Sequence, residues 1–101
     1  MKRIFSTTAK MSTKRISYTV KGEVQGVNFR SFTQKQARSI GVTGFVTNAS
    51  DGSVQGEAQG SDDAIKQFVQ HLNKGPPAAS VSSVKHDDIS TKSGESSFNV
   101  Q

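Results

Sequence analysis

Gly22-Glu23-Val24-Gln25-Gly26-Val27-Asn28-Phe29-Arg30 joins two segments of opposite period. Before it stands Ile16-Ser17-Tyr18-Thr19-Val20, a β-type run. After it, Phe29, Phe32, Thr33, Gln36, Ala37 and Ile40 recur with the three-and-four spacing of one helix face. The domain therefore opens with a strand, a glycine-bearing loop and a helix. In such a loop successive main-chain N–H groups can converge on one anion. Arg30 is the unexpected residue. A cation in the first turn of a helix opposes the macrodipole, at a cost of a few tenths to about 1 kcal/mol. An anion held between the helix N-terminus and the guanidinium satisfies both, so the stretch reads as a phosphate or carboxylate cradle.

Working outward, Gly41 is placed to end the first helix in the left-handed conformation. Gly44-Phe45-Val46-Thr47-Asn48 and Ser53-Val54-Gln55-Gly56-Glu57-Ala58 flank Asp51-Gly52, a hairpin signal because tight turns require positive φ. In the second helix Ser61 caps, Asp62 and Asp63 suit the positive end, and Ile65, Phe68, Val69 and Leu72 form one apolar stripe. Gly75-Pro76-Pro77 stops it. Val81 with Val84 marks a strand, and Phe98 with Val100 a short last one. The order β-α-β-β-α-β, with an extra terminal strand, predicts an α+β, ferredoxin-like sandwich with two helices on one face of an antiparallel sheet. Strands one and two are joined through a helix, so they run parallel with their carboxyl ends at one edge. The Gly22–Arg30 loop and Asn48, at the end of strand two, are thus predicted neighbours. Phe29, Phe32, Phe45 and Phe68 are expected in the core.

The 101 residues suit one small domain without cysteine, so neither a disulfide framework nor a thiolate metal site can form. No apolar run reaches membrane-spanning length. The net charge of +5 suggests a polyanion binder until it is divided along the chain. Lys2, Arg3, Lys10, Lys14 and Arg15 precede the first acid, Glu23, whereas from Ile16 onward eight basic residues meet eight acidic ones. The basicity thus belongs to residues 1–15, read as a disordered tail dispensable for folding, and not to the domain over 16–101. That tail is hydroxyl-rich and acid-free, as transit peptides are, and Met11 offers an alternative start. The expected compartment is the cytoplasm, or the mitochondrion if the tail directs import. His71 and His86 have no partner at metal-ligand spacing, and the pairs Asp62-Asp63 and Asp87-Asp88 put neighbours on different faces, so no acid–base dyad is read from them.

Three blocks together resemble the acylphosphatase family. They are Val20-x-Gly22-x-Val24-Gln25-Gly26-Val27-x-Phe29-Arg30, Gly44-Phe45-Val46-Thr47-Asn48-x3-Gly52-x-Val54-x5-Gly60, and Leu72-x2-Gly75-Pro76-Pro77-Ala78-x2-Val81-x2-Val84. The resemblance implies metal-independent hydrolysis of a small-molecule acyl phosphate, without cofactor or phosphoenzyme. It implies that main-chain N–H groups of Gln25, Gly26, Val27, Asn28 and Phe29 bind the phosphate, that Arg30 pairs with it bidentately, and that Asn48 orients the attacking water. Inorganic phosphate and similar small anions would act as product and inhibitor, the enzyme being a monomer with no nucleic-acid or membrane partner. The chain departs from many members in ending soon after Phe98 without their charged and aromatic residues, a departure read as bearing on edge-strand stability more than on catalysis. Two other classes share this strand order. A noncatalytic anion-binding module would keep the cradle without turnover. An RNA binder needs exposed aromatics and a basic sheet face, and the third-strand segment has neither.

Overall fold

The computed structural model describes residues 13–101, so the tail readings on residues 1–12, Met11 included, lie outside the described residues. Strand β1 (Thr13–Glu23) leads into helix α1 (Phe29–Ser39), then β2 (Thr43–Asn48), β3 (Val54–Ser61), helix α2 (Asp62–Lys74), β4 (Ser80–Ile89) and β5 (Phe98–Val100). The sheet order is β4-β1-β3-β2-β5. β3 pairs antiparallel with both β1 and β2, which makes those two strands parallel, as the crossover helix requires. β5 adds to β2 in parallel, so the sheet is mixed where an antiparallel one was expected.

Local chemistry forms the helices largely as predicted. Ser61 accepts the Ala64 N–H at 3.1 Å, with Asp62 and Asp63 in the first turn of α2. Helix α1 closes through Val42 N–H on Ala37 O at 2.8 Å, beside Gly41. The hairpin turns at Asp51-Gly52 as expected, with Gly52 at a φ of 92°. Residues 49–53 form a five-residue connection, with Asp51 Oδ1 accepting both the N–H and the hydroxyl of Ser53 (3.0 and 2.6 Å), a turn closed by a side chain.

The core lies between the helices and one sheet face. Phe29, Phe68, Phe98, Ile16, Val20, Val46 and Leu72 are buried there, and Phe68 packs against the rings of Tyr18 and Phe98. Phe45 and Phe32 depart from their expected burial. Alternation along β2 buries Gly44 and Val46, sending Phe45 half-buried to the opposite face, while Phe32 is half-buried with its ring beside His71. Tyr18 reaches across β3 to donate its hydroxyl to Phe45 O at 2.8 Å. Gly56 permits this crossing, since a Cβ there would stand 2.4 Å from the Tyr18 oxygen and 2.0 Å from Phe45 O. Burial pushes the Tyr18 phenol pKa well above its ordinary value.

Among the described residues Thr33 Oγ1 is buried without a hydrogen-bond partner. A buried unsatisfied hydroxyl costs about 1–3 kcal/mol, whereas an apolar group of the same shape does not. Thr33→Val is therefore expected to stabilise the fold by about 1 kcal/mol, raising Tm by roughly 4–8 °C in thermal denaturation. A lower Tm would show that the hydroxyl is bonded.

Strand β1 is already formed at Thr13, ahead of Ile16, so two of the charges counted with the tail belong to the sheet. Lys14 pairs with Asp88 at 3.5 Å. Arg15 is 2% exposed on the sheet face away from the helices. Its Nε donates to Glu57 Oε1 at 2.9 Å, Nη1 to Glu95 Oε1 at 2.9 Å and to Gln59 Oε1 at 3.2 Å, and Nη2 to Glu95 Oε2 at 3.3 Å. Glu95 lies in the connection over residues 90–97, which must cross from β4 at one sheet edge to β5 at the other. Gln59 holds the same connection, its amide donating to Lys92 O and accepting Lys92 N–H, each at 2.8 Å. Arg15 is the cation on which that crossing closes. Hydrogen bonding from Arg15 holds the Glu95 carboxyl below its usual range.

Candidate active site

The loop after β1 carries two residues at positive φ, Gly26 at 76° and Asn28 at 65°, with Val27 between them. Alternation of this kind turns successive N–H groups into one concavity, a main-chain nest for an anion. Glycine adopts such a φ freely, and asparagine is among the side chains that tolerate it best. Asn28 is also the N-cap of α1, yet its side chain makes no capping bond and the first turn holds no acidic residue. The orphan N–H groups of that turn thus have no capping side chain and no acidic residue within the turn to meet them. Phe29, 1% exposed, fastens the start of the helix to the core.

This loop opens into a cavity of about 420 Å³ lined by Val24, Gly26, Asn28, Phe29, Arg30, Ser31, Asn48 and Val100. Arg30 Nη1 donates to the Gln101 main-chain oxygen at 2.8 Å, while Gln101 N–H is held by Val46 O at 2.8 Å. One prong of the guanidinium is therefore oriented by the residue following β5, and among the described residues its other N–H groups meet no side-chain or main-chain acceptor. Asn48 is exposed at the carboxyl end of β2, paired in register with Val54. The turn beyond it is braced by Asp51, whose carboxyl is held below the usual range, chiefly by the Ser53 hydroxyl and then by the Ser53 N–H.

Of the residues singled out in the sequence, Arg30, Asn48, Gly26, Asn28 and Phe29 meet around this cavity, whereas Gln25 and Val27 do not line it. The Gln25 side chain turns to the β2–β3 connection, and Val27 packs against the core. Val24 lies in the 24–30 loop expected there, whereas Ser31 and Val100 were not anticipated. Ser31 follows from its first-turn position. The role of the last strand does not, because only sheet pairing reveals that β5 runs beside β2 and so reaches Arg30. The C-terminal segment bears on the site as well as on the edge of the sheet.

Two helices on one face of a five-stranded sheet, with a glycine-bearing nest beside the ends of two parallel strands, define a small α+β domain. Its relatives make the class specific. The acylphosphatase family model matches residues 16–100. An acylphosphatase of Salinibacter ruber is 47% identical over 74 residues, covering 73% of this chain and 78% of that one. An acylphosphatase of Thermotoga maritima is 42% identical over 88 residues, covering 87% and 97%. In structure, an acylphosphatase from Coxiella burnetii superposes with a TM-score of 0.86 at 38% identity, over 94% of this chain and 99% of that one. The chain belongs to the acylphosphatase family, and it is a hydrolase of acyl phosphates.

Proposed function

We propose that the 24–30 loop and Arg30 hold the phosphoryl group of a small acyl phosphate while Asn48 aims the water that attacks it. The water oxygen bonds to phosphorus as the bond to the acyl oxygen breaks, and the leaving carboxylate keeps that bond's electron pair. A carboxylate leaves readily, so strong general-acid help is unnecessary. The transferring group needs fixed donors for its equatorial oxygens and an in-line nucleophile. Main-chain N–H groups and a planar, always charged guanidinium supply the donors. A neutral amide both donates and accepts, which suits it to orient water. The water's proton passes to the phosphate, since no protein base lies among the residues lining the cavity. Inorganic phosphate, the product, then inhibits competitively. The observation that carries this reading is the meeting of Arg30 and Asn48, from different elements, around one cavity with the nest.

On the same reading the enzyme works as a monomer, because one chain supplies cradle and amide together. Its compartment is the cytoplasm, where a cysteine-free domain needs no oxidising environment. The import reading rests on residues 1–15, of which 1–12 lie outside the described residues and the rest belong to β1, and the bacterial relatives lend it no support. Among the described residues no helix is long and apolar enough to cross a membrane.

Asn48→Ala tests the assignment. It is expected to fold and bind phosphate with little change while kcat falls by roughly a hundredfold, as for loss of a positioned group. The checks are steady-state hydrolysis of benzoyl phosphate, phosphate inhibition and a melting curve. A folded variant with wild-type turnover would make Asn48 a turn residue only.

A further inference from the structure

The Gln25 side chain makes a pair of bonds that phosphate binding does not explain. Its Nε2 donates to Ala49 O at 2.8 Å and to Ser53 O at 3.0 Å. A primary amide has two N–H donors, and here each meets a carbonyl. Those carbonyls mark the two ends of the β2–β3 connection, itself closed by Ala49 N–H on Ser53 O at 2.8 Å and Gly52 N–H on Ala49 O at 3.2 Å. Ala49 follows Asn48 directly, and Gln25 directly precedes Gly26, where the nest begins. One amide therefore spans from the cradle to the residue beside Asn48.

Sheet topology explains why such a tie has work to do. β1 and β2 run parallel but are not neighbours, since β3 lies between them. No ladder bond joins their ends directly, and both the cradle and the 49–53 connection extend beyond the paired residues. We infer that Gln25 is a positioning residue: its side-chain amide holds the Asn48 end of β2 in register with the phosphate cradle, without touching substrate. The inference rests on the assignment of Asn48 to the attacking water. Small displacements of a positioned group, on the order of 1 Å, can cost about a hundredfold in rate.

The test is a double-mutant cycle with Gln25→Ala, Asn48→Ala and the pair, assayed with benzoyl phosphate, inorganic phosphate as inhibitor and thermal melting. Gln25→Ala is expected to lower kcat by roughly ten- to a hundredfold and to leave the phosphate inhibition constant within about twofold. In the Asn48→Ala background it should change kcat by no more than about twofold, because the group it positions is gone. Gln25→Glu adds a readout that simple bracing does not supply. Its carboxylate has no donor and faces two carbonyls, so at neutral pH it should be as slow as the alanine variant. As pH falls through the carboxyl range near about 4.3, its activity relative to wild type should rise, because the acid form regains one donor. Gln25→Ala should show no such rise. Wild-type kcat in folded Gln25→Ala overturns the inference while leaving the Asn48 assignment intact. So does a phosphate inhibition constant that weakens as much as kcat falls, or a full multiplicative loss in the Asn48→Ala background. Wild-type turnover in Asn48→Ala instead overturns the underlying assignment.

Discussion

Arg30→Lys is expected to lower kcat/KM for benzoyl phosphate by roughly a hundredfold or more and to weaken phosphate inhibition, although the charge is kept. Removing one transition-state donor of this kind typically costs about 2.7–4 kcal/mol. On the proposed reading the guanidinium serves two partners, the Gln101 oxygen and the phosphoryl group. Nη1 is bonded to the Gln101 oxygen, and the remaining planar donors lie along the cavity. An ammonium concentrates its donors on one nitrogen at the end of a flexible stem. It can keep the contact to Gln101 or approach the phosphoryl oxygens, and in neither place does it present a two-pronged face. A lysine variant within a few-fold of wild type would mean that charge alone suffices and the bidentate account is wrong.

Arg15 carries the largest expected effect on stability. Deleting residues 1–12 leaves the described strand Thr13–Glu23 in place, whereas deleting residues 1–15 removes part of it and the cation on which the 90–97 crossing closes. Breaking a buried pair by removing one partner costs about 3–5 kcal/mol. The Glu57 side chain is 36% exposed and the Glu95 side chain 15% exposed, so water can rehydrate part of what is left. Arg15→Met is therefore expected near the lower bound, about 3 kcal/mol, or roughly 12–24 °C in Tm. Its pH dependence has a definite sign. The Glu95 pKa is depressed in the fold, mainly by the Arg15 hydrogen bond, so its contribution is complete above the ordinary carboxylate range and is lost as pH falls through the folded value. Wild type and Glu95→Gln should converge in stability on acidification. Chemical denaturation across pH measures this, and an Arg15→Met protein within about 0.5 kcal/mol of wild type at neutral pH would show the cluster to be idle.

Sequence alone determined what depends on near neighbours. The Ser61 cap, the ends of both helices, the apolar stripe of α2, the strand order and the glycine loop before an acid-free first turn all follow from spacings of a few residues, over which φ preference, hydrogen bonding and helical period act. The expected nearness of Arg30 and Asn48 was legible too, because a crossover helix constrains strands one and two to run parallel. Tertiary structure alone decided the rest. Arg15 read as a tail charge because its partners, Glu57 and Glu95, lie 42 and 80 residues away and are chosen by sheet register and by the path of a connection. Gln25 read as part of the cradle because its neighbours in the chain are, although its amide turns to a connection 24 residues further on. The parallel pairing of β5 on β2, and with it the Gln101 oxygen on Arg30, likewise depends on which strand edge stays free after β3 has taken its place. A polar side chain carries no mark of its distant partner in sequence, since a hydrogen bond depends on positions in space that only the completed sheet defines.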